Sequence, residues 1–358
     1  MLRYVGKRLI YGFLVLLGVV TLVFFLFNVL PGDPARMMLG QRADAESIEA
    51  INRDLGRDKP IATQYINYLN DLSPISLHNN QDSTSFFYLS SDKYNYATLL
   101  RFGTTSLVVK TPYLRRSYQS QRKVSEIIST AFPQTAVLAL TAMLFALLVG
   151  ITLGVVSALH KDSWIDRLSL VLSTLGMSLP SFFAAIFIAW LFAYVLADWT
   201  GLNMFGNLFS VDDYGDGEYM DLKNLILPAL TLGIRPLATL TQLTRNSMLE
   251  ALSQDYIRTA RAKGLSHRRV VVHHALRNAL NPVVTSASGW LASLLAGAVF
   301  VEYVFDWKGM GVVIVDALDK YDFPVVMGAI LFICVILVII NILTDLLYAV
   351  LDPRIRLT

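Results

Sequence analysis

The residues of this chain whose types could do chemistry gather in one basic stretch, residues 245–281. His267, His273 and His274 are possible metal ligands, but adjacent residues of a helix point apart and no carboxylate is spaced to complete a set. Gly264-Leu265-Ser266-His267 places a serine beside a histidine without a third partner for nucleophilic catalysis. We therefore expect no metal site and no catalytic centre in this stretch.

The rest of the sequence offers no other catalytic motif. It contains neither H-E-x-x-H nor G-x-S-x-G, and its one cysteine, Cys334, excludes an intrachain disulfide and a cysteine-based metal cluster. It also lacks the phosphate-binding loop G-x-x-x-x-G-K-S/T, since the only Gly-Lys pair is Gly6-Lys7 in a basic N-terminal segment. The sequence therefore predicts a chain that is not an enzyme and holds no cofactor, so that any ATP and Mg²⁺ must be bound by a partner.

The elements that position these residues are predicted to be membrane helices. Of the 358 residues, 54% are hydrophobic and 16% are charged, whereas soluble domains average about 25% charged residues. Together with a mean hydropathy of +0.52, this composition excludes a disordered chain, a disulfide-stapled secreted domain and an ordinary cytosolic enzyme. A net charge of +3 is too small to suggest a nucleic-acid partner.

Long stretches without Asp, Glu, Lys or Arg mark the candidate spans, because a helix needs roughly 20 apolar residues to cross a bilayer. Five such stretches are Leu9–Leu30, Ile127–Leu159, Leu168–Ala197, Asn278–Val301 and Phe323–Thr344. A sixth, Asn224–Thr244, is interrupted only by Arg235. The sequence therefore predicts an all-α integral membrane protein with six transmembrane helices, of which the first is an uncleaved signal anchor.

Prolines and glycines inside these spans carry further predictions. Four prolines, Pro133, Pro180, Pro228 and Pro236, are expected to kink or interrupt helices; the alternative is that neighbouring helices tolerate them without any functional consequence. The spacing of Gly150 and Gly154 favours close packing between helices over a ligand site.

The distribution of Lys and Arg predicts the orientation in the membrane. With the N-terminus in the cytoplasm, the inside segments carry 14 Lys and Arg residues; they are Met1–Arg8, His160–Arg167, Arg245–Arg277 and the tail after Leu351. The short outside loops Asp198–Lys223 and Glu302–Asp322 carry only three basic residues and eleven acidic ones. Both termini are therefore predicted to be cytoplasmic, and the longer segment 31–126 to be extracytoplasmic. Within that segment, Thr104–Val109 and its surroundings favour β-strands.

Two short helices are predicted in the basic stretch. Ser253 is a possible N-cap, Asp255 suits the start of a helix, and Gly264 suits its end. Ser266 is placed to cap a second helix that reaches Leu280, and Asn281-Pro282 marks the start of the next span. Such a pair of helices could receive a push from a partner protein; a solvated connector is the alternative.

The order of the residues in this stretch resembles that of the same loop in the permeases of binding-protein-dependent ABC importers. The resemblance is specifically to the first membrane subunit of the dipeptide, oligopeptide and nickel group. Residues 255–265 followed by 274–280 look like the peptide-permease form of that family's EAA motif, although Arg258 and Thr259 replace the general Glu-Ala. The likeness extends over nearly the whole chain; it includes Leu30–Pro34, Gly176–Phe182, Gly297–Glu302, Gly309–Gly311 and Leu351–Arg356. Ser73–Tyr113 has no recognised counterpart and looks like an insertion, and Lys308 stands where the family usually has proline.

The resemblance implies a MetI-like transmembrane domain over residues 127–351, preceded by 1–30 and the extracytoplasmic segment 31–126 and followed by a cytoplasmic tail, 352–358. It implies a coupling helix that docks on an ATPase through Asp255, Tyr256, Ile257, Arg258, Ala260, Arg261 and Gly264. It also implies a complex in a bacterial-type cytoplasmic (inner) membrane with a second homologous permease, two ATP-binding subunits and an extracytoplasmic substrate-binding protein. The transported solute would be a dipeptide, a longer peptide, nickel or a related small solute.

Arg235 is the one charge deep in a predicted span, and an unpaired cation at that depth is expensive. We expect it to face a water-filled pathway or a polar group; the alternative is that Pro228 and Pro236 displace it toward an interface. Asp345, near the end of the last span, is expected to be interfacial. The alternative function is a channel or ion-coupled secondary transporter working alone, which the near absence of acids within the spans disfavours. A membrane-anchored enzyme has no candidate residues.

Overall fold

The computed structural model describes residues 2–29, 48–49, 52, 58–80, 87–90, 93–211 and 217–351, and these are mostly helical. The helices are α1 Leu2–Val29, α2 Ile61–Leu72, α3 Val124–Leu159, α4 Trp164–Ser178, α5 Ser181–Trp190, α6 Ala197–Thr200, α7 Lys223–Ser253, α8 Asp255–Ala262, α9 His267–Arg269, α10 Arg277–Gly297, α11 Val299–Val304, α12 Met310–Asp319 and α13 Phe323–Leu351. Leu191–Val195 after α5 and Val270–Leu276 after α9 are π-helical. The strands are β1 Ile75–Asn79, β2 Tyr96–Phe102, β3 Thr105–Lys110, β4 Phe209–Val211 and β5 Glu218–Met220. The predicted tail 352–358 lies outside the described residues.

Four helical segments of the described chain are long and apolar enough to cross a membrane: Gly6–Phe27, Val124–Leu159, Lys223–Ser253 and Phe323–Leu346. Helices α4 and α5 make a fifth span only if the two count together. The described chain is therefore mostly helical with four or five candidate spans, as predicted, but the all-α class is too narrow because β1–β5 form two sheets. The predicted number of six is not confirmed, because α10, on the predicted span Asn278–Val301, is absent from this set.

The predicted span Leu168–Ala197 is not one helix. Its two halves, Trp164–Ser178 and Ser181–Val195, are bent by 112°. Leu179 is extended, with φ −70° and ψ 130°, because the residue before a proline avoids the helical conformation. The interruption predicted at Pro180 is confirmed, whereas the other three prolines lie inside the continuous helices α3 and α7.

By its internal contacts the chain forms two units, and the first contains the described residues of Met1–Leu9, Ala131–Val312 and Val335–Thr358. Here α3 lies close against α7. A Cβ added to Gly154 would lie 2.6 Å from Thr244 Cβ, and one added to Gly150 would lie 3.0 Å from the Leu237 carbonyl oxygen. These distances leave no room for a side chain, so the close packing predicted from the two glycines is confirmed.

The second unit contains the described residues of Ile10–Thr130 and Val313–Cys334. Its centre is an antiparallel sheet in the order β1-β3-β2, which confirms the strand predicted at Thr104–Val109. One face of the sheet exposes large apolar side chains; they are Ile75, Leu77, Leu100, Phe102 and Val109. The sheet therefore has one apolar face that is substantially exposed.

The opposite face of the sheet holds a buried polar cluster. Tyr94 donates its hydroxyl to Asp71 Oδ1 at 2.6 Å, and Lys110 Nζ lies 3.1 Å from His78 Nε2. Burial and the Lys110 charge lower the pKa of His78 to about 4, and burial lowers the pKa of Lys110 to about 8. At pH 7 His78 is therefore neutral and accepts the hydrogen bond from a charged Lys110.

Candidate functional site

The basic stretch folds as two helices separated by a glycine turn. Helix α8 ends at Ala262, and Gly264 follows with φ +75°, a conformation that favours glycine. No atom lies within 4 Å of a Cβ added there, so the glycine is required by its backbone conformation and not by crowding. The helix end predicted at Gly264 is confirmed.

The start of α8 differs from the prediction. Ser253 is the last residue of α7, and its hydroxyl donates to the Glu250 carbonyl oxygen at 2.7 Å. Gln254 takes the N-cap position without a side-chain hydrogen bond to the helix. The prediction that Ser253 caps α8 is therefore wrong, because the preceding helix continues one residue further and uses the hydroxyl itself. After Ser266, the helical conformation continues through α9 and α10 without the break expected near Leu280.

Burial divides the residues of α8 into two groups. Ile257 and Ala260 are 0% and 5% exposed, in an apolar cluster of this chain that also contains Met248, Val270 and Val271. The remaining predicted contact residues are exposed; they are Asp255, Tyr256, Arg258, Arg261 and Gly264. The apolar side of α8 therefore anchors the helix to its own chain, and a mainly basic surface is left for a partner. The i, i+3 spacing of Ile257 and Ala260 was the available sign of this anchoring.

The ion pair on the exposed surface of α8 contributes little to the stability of the folded chain. Arg258 Nη1 lies 3.3 Å from Asp255 Oδ1, with the two side chains 79% and 94% exposed. Such exposed pairs contribute only about 0.3–0.5 kcal/mol along a helix. Both charges are therefore free to exchange partners.

A buried ion pair holds the end of α7 from which α8 continues. Arg245 Nε lies 2.5 Å from Asp166 Oδ1, and Arg245 Nη2 lies 2.7 Å from Asp166 Oδ2, a two-pronged pairing. Asp166 also accepts from the Ser157 hydroxyl and from the Asp162 amide. No local sequence pattern predicts this network, because its two charges lie 79 residues apart and each looks like an ordinary loop charge.

Glu302, on the short helix α11, forms a second buried centre. Its carboxylate accepts from the Thr135 hydroxyl at 2.6 Å and from the Gly311 amide at 2.6 Å, and the residue is 0% exposed. Thr135 in turn accepts from the Met310 amide at 2.8 Å. Sequence reasoning treated Glu302 only as an outside acid, although it lies in a segment that carries the family resemblance.

Arg235 is exposed on the surface of α7, next to the buried Pro236. Among the residues that the structure describes, none accepts a hydrogen bond from its guanidinium or forms an ion pair with it. Asp345, by contrast, pairs with Arg8, with Arg8 Nε at 3.0 Å from Asp345 Oδ2. The prediction that Asp345 is an interfacial residue fits this pairing with the basic N-terminal segment.

Comparison with known proteins identifies the family to which the chain is similar. The model for binding-protein-dependent transport system inner membrane components matches residues 150–357, and the model for the N-terminal part of such membrane components matches residues 1–85. The dipeptide transport system permease protein DppB of Alkalihalophilus pseudofirmus is 33% identical over 99% of this chain and 100% of the relative. The glutathione transport system permease protein GsiC of Salmonella typhimurium is 35% identical over 99% of each chain. Among solved structures, a chain of the MetNI methionine ABC transporter in an inward-facing conformation has a similar fold, with a TM-score of 0.50 and 14% identity over 64% of this chain and 97% of that one.

Proposed function

Because the chain belongs to the family of binding-protein-dependent transport system inner membrane components, we propose that it is the membrane-spanning permease subunit of an ATP-driven importer for peptides or related small solutes. The resemblance to ABC importer permeases predicted from the sequence is confirmed by the family match. The main support for this proposal is that relatives named as dipeptide and glutathione permeases align with 99% of this chain. The chain itself would supply the path for the solute and a contact for the energy source.

The proposed assembly contains this permease, a second homologous permease, two ATP-binding subunits and an extracytoplasmic binding protein. The family implies an ATPase and a binding protein as partners; the numbers of subunits are part of the proposal. ATP and Mg²⁺ would be bound by the ATPase. Six spans with both termini in the cytoplasm of a bacterial-type inner membrane complete the proposal, and the distribution of Lys and Arg supports this topology.

The exposed surface of α8 is the proposed contact with the ATPase. A helix anchored by Ile257 and Ala260 moves together with the apolar cluster beneath it, which includes Met248 of α7 and the π-helical residues before α10. A push on Arg258 and Arg261 would therefore be passed to α7 and α10 as a rigid-body displacement. Arg235, further along α7, is proposed to face the pathway that this displacement opens.

We expect Arg258→Glu to lower ATP-driven uptake by at least tenfold in the complete complex reconstituted in liposomes. Reversing one charge of a partner contact changes binding by about 2–5 kcal/mol, whereas the 79% exposed side chain adds little to folding. Adding Gly264→Pro should abolish uptake, because proline is held near φ −65° and cannot adopt +75°. Uptake and substrate-stimulated ATP hydrolysis are the measurements.

Lys320→Glu is the matched control for that experiment, since Lys320 is 62% exposed and pairs with Asp316 four residues away, on the side predicted to face outward. It should leave uptake unchanged. Normal uptake and stimulated hydrolysis by the Arg258→Glu, Gly264→Pro variant would reject the coupling role of α8. Transport by this chain alone in liposomes would instead support the channel or ion-coupled transporter.

For the segment Ser73–Tyr113 we propose a part in docking the binding protein or covering the outer mouth of the pathway. Its sheet exposes five large apolar side chains on one face, and a contiguous apolar patch of this kind often marks a surface that binds another protein. Deleting residues 73–113 is expected to weaken the affinity of the complex for its binding protein by about tenfold. An unchanged affinity in a titration of the binding protein would reject the docking role.

A further inference from the structure

Two neighbouring helices of the first unit expose polar residues where membrane helices usually expose apolar ones. Helices α7 and α10 pack against each other. On α7, a stripe at helical spacing is exposed or half-exposed and wholly polar: Arg235, Thr239 and Gln242 in the predicted span, and Asn246 and Glu250 in the predicted inside segment that follows it. On α10, the exposed stripe is polar or small: Asn278, Asn281, Thr285, Gly289 and Ser293. The two stripes are called the polar wall below.

Other helices of the same unit show the opposite pattern. Helix α3 exposes Leu140, Leu144 and Leu148, each by more than half of its surface. Helix α4 exposes Val171 and Leu172 by more than half and Leu168 by 47%. In contrast, no large apolar side chain is exposed from Leu227 to Asp255 or from Arg277 to Leu295, ranges in which every side chain is described. The leucine faces suit lipid, and the polar wall does not.

Lipid cannot cover the polar wall cheaply, because amide and cationic side chains in hydrocarbon lose their hydrogen bonds to water. The hydroxyls of Thr239 and Thr285 donate to backbone carbonyls one turn earlier, each at 3.1 Å. The Gln242 amide and the Arg235 guanidinium have no such partner among the described residues. Water, a polar solute or a polar group of a partner subunit must therefore supply their hydrogen bonds.

Near the middle of α7, the polar wall carries a single charge, and it is positive. Arg235 lies about 18 Å along α7 from its start, near the middle of a helix about 46 Å long. It is the only charged residue between Lys223 and Arg245, and α10 has none after Arg277. A lone cation in a low-dielectric cleft attracts anions, and a guanidinium matches the geometry of a carboxylate.

We propose that the polar wall is this chain's side of the solute pathway and that Arg235 attracts the carboxylate of the passing solute; this rests on the proposed transport function. Thr239 and Gln242 on α7 and Thr285 and Ser293 on α10 keep the pathway hydrated around that cation. The solute class that fits is a small molecule with a free carboxylate and few apolar groups, such as a short peptide.

Single cysteines test the wall in the assembled complex. In a Cys334→Ala background, Thr239→Cys and Thr285→Cys are compared with Leu144→Cys and Leu172→Cys, which are 57% and 58% exposed at the parent leucines. The probe is 2-carboxyethyl methanethiosulfonate, which reacts with a thiol to form a mixed disulfide and release methanesulfinate. We expect the wall cysteines to react at least tenfold faster than the leucine-face cysteines. Equal rates, or slow reaction of the wall cysteines, would overturn the proposal.

A second probe tests the charge. At Thr239→Cys, one turn from Arg235, the carboxyethyl reagent should react about tenfold faster, relative to free cysteine, than the trimethylammonium-ethyl reagent. Arg235→Leu should remove that preference and Arg235→Lys should retain it. A preference that survives Arg235→Leu would reject the role of Arg235. Because these rates need no ATP, they can fail while Arg258→Glu still blocks uptake, so the wall and the coupling role are judged separately.

Discussion

Arg245→Ala is expected to lower the stability of the complex by about 3–5 kcal/mol, because it leaves the Asp166 carboxylate buried without its cation. The two side chains are only 14% and 2% exposed, and the two short contacts between them hold the guanidinium in one geometry. Such a loss should appear as a fall of about 4–7 °C in the unfolding midpoint of this 358-residue subunit within the detergent-solubilised complex. Uptake should fall as well, because this pair fixes the end of α7 from which α8 continues.

Two controls separate an orphaned charge from a general loss of contacts. Arg258→Ala removes an arginine from a pair that is 79% and 94% exposed, and should change stability by less than about 1 kcal/mol. Replacing both partners, with Arg245→Met and Asp166→Leu together, should recover most of the lost stability, since apolar residues often substitute for a buried ion pair without penalty. If Arg245→Ala is no more harmful than Arg258→Ala, the buried pair does not hold α7 in place.

The parts of the fold that the sequence predicted correctly are those with local physical causes. The absence of charge over long stretches marks helices α1, α3 and α13, and a proline with its restricted predecessor marks the break at Leu179. Gly264 ends α8 because few other residues adopt φ +75°. Each of these signals is complete within a few neighbouring residues.

The parts that the sequence did not predict depend on contacts between distant residues. Ile257 and Ala260 look available to a partner until Met248 and Val270 cover them. Asp166 looks like a loop charge until Arg245 reaches it from 79 residues away. The polar wall is similar, because the alternation of polar positions on α10 gains meaning only once their burial is known. The sequence therefore predicted where along the chain the candidate site lies, but it did not predict which of the site's residues are exposed and which are buried.

Gly311→Ala is expected to destabilise the chain by about 3 kcal/mol or more through overpacking. A Cβ at this position would lie 2.4 Å from Val299 Cα and 2.8 Å from Glu302 Oε2, and the backbone of Val299 cannot swing aside as a flexible side chain could. The substitution would also displace the Gly311 amide, which donates to Glu302 at 2.6 Å. Leaving that buried carboxylate short of a donor adds to the loss.

Gly289→Ala is the matched control, because a Cβ there meets nothing within 4 Å and the residue lies inside a helix. Alanine in place of glycine in a helix should be neutral or should stabilise by about 0.5–1 kcal/mol. Glu302→Gln then separates packing from hydrogen bonding: it keeps the side-chain volume but turns one acceptor into a donor facing either Thr135 or Gly311. Unfolding midpoints in which Gly311→Ala matches Gly289→Ala would show that the start of α12 tolerates a side chain at this position. A harmful Gly311→Ala with a harmless Glu302→Gln would assign the effect to packing against Val299 and none of it to the carboxylate.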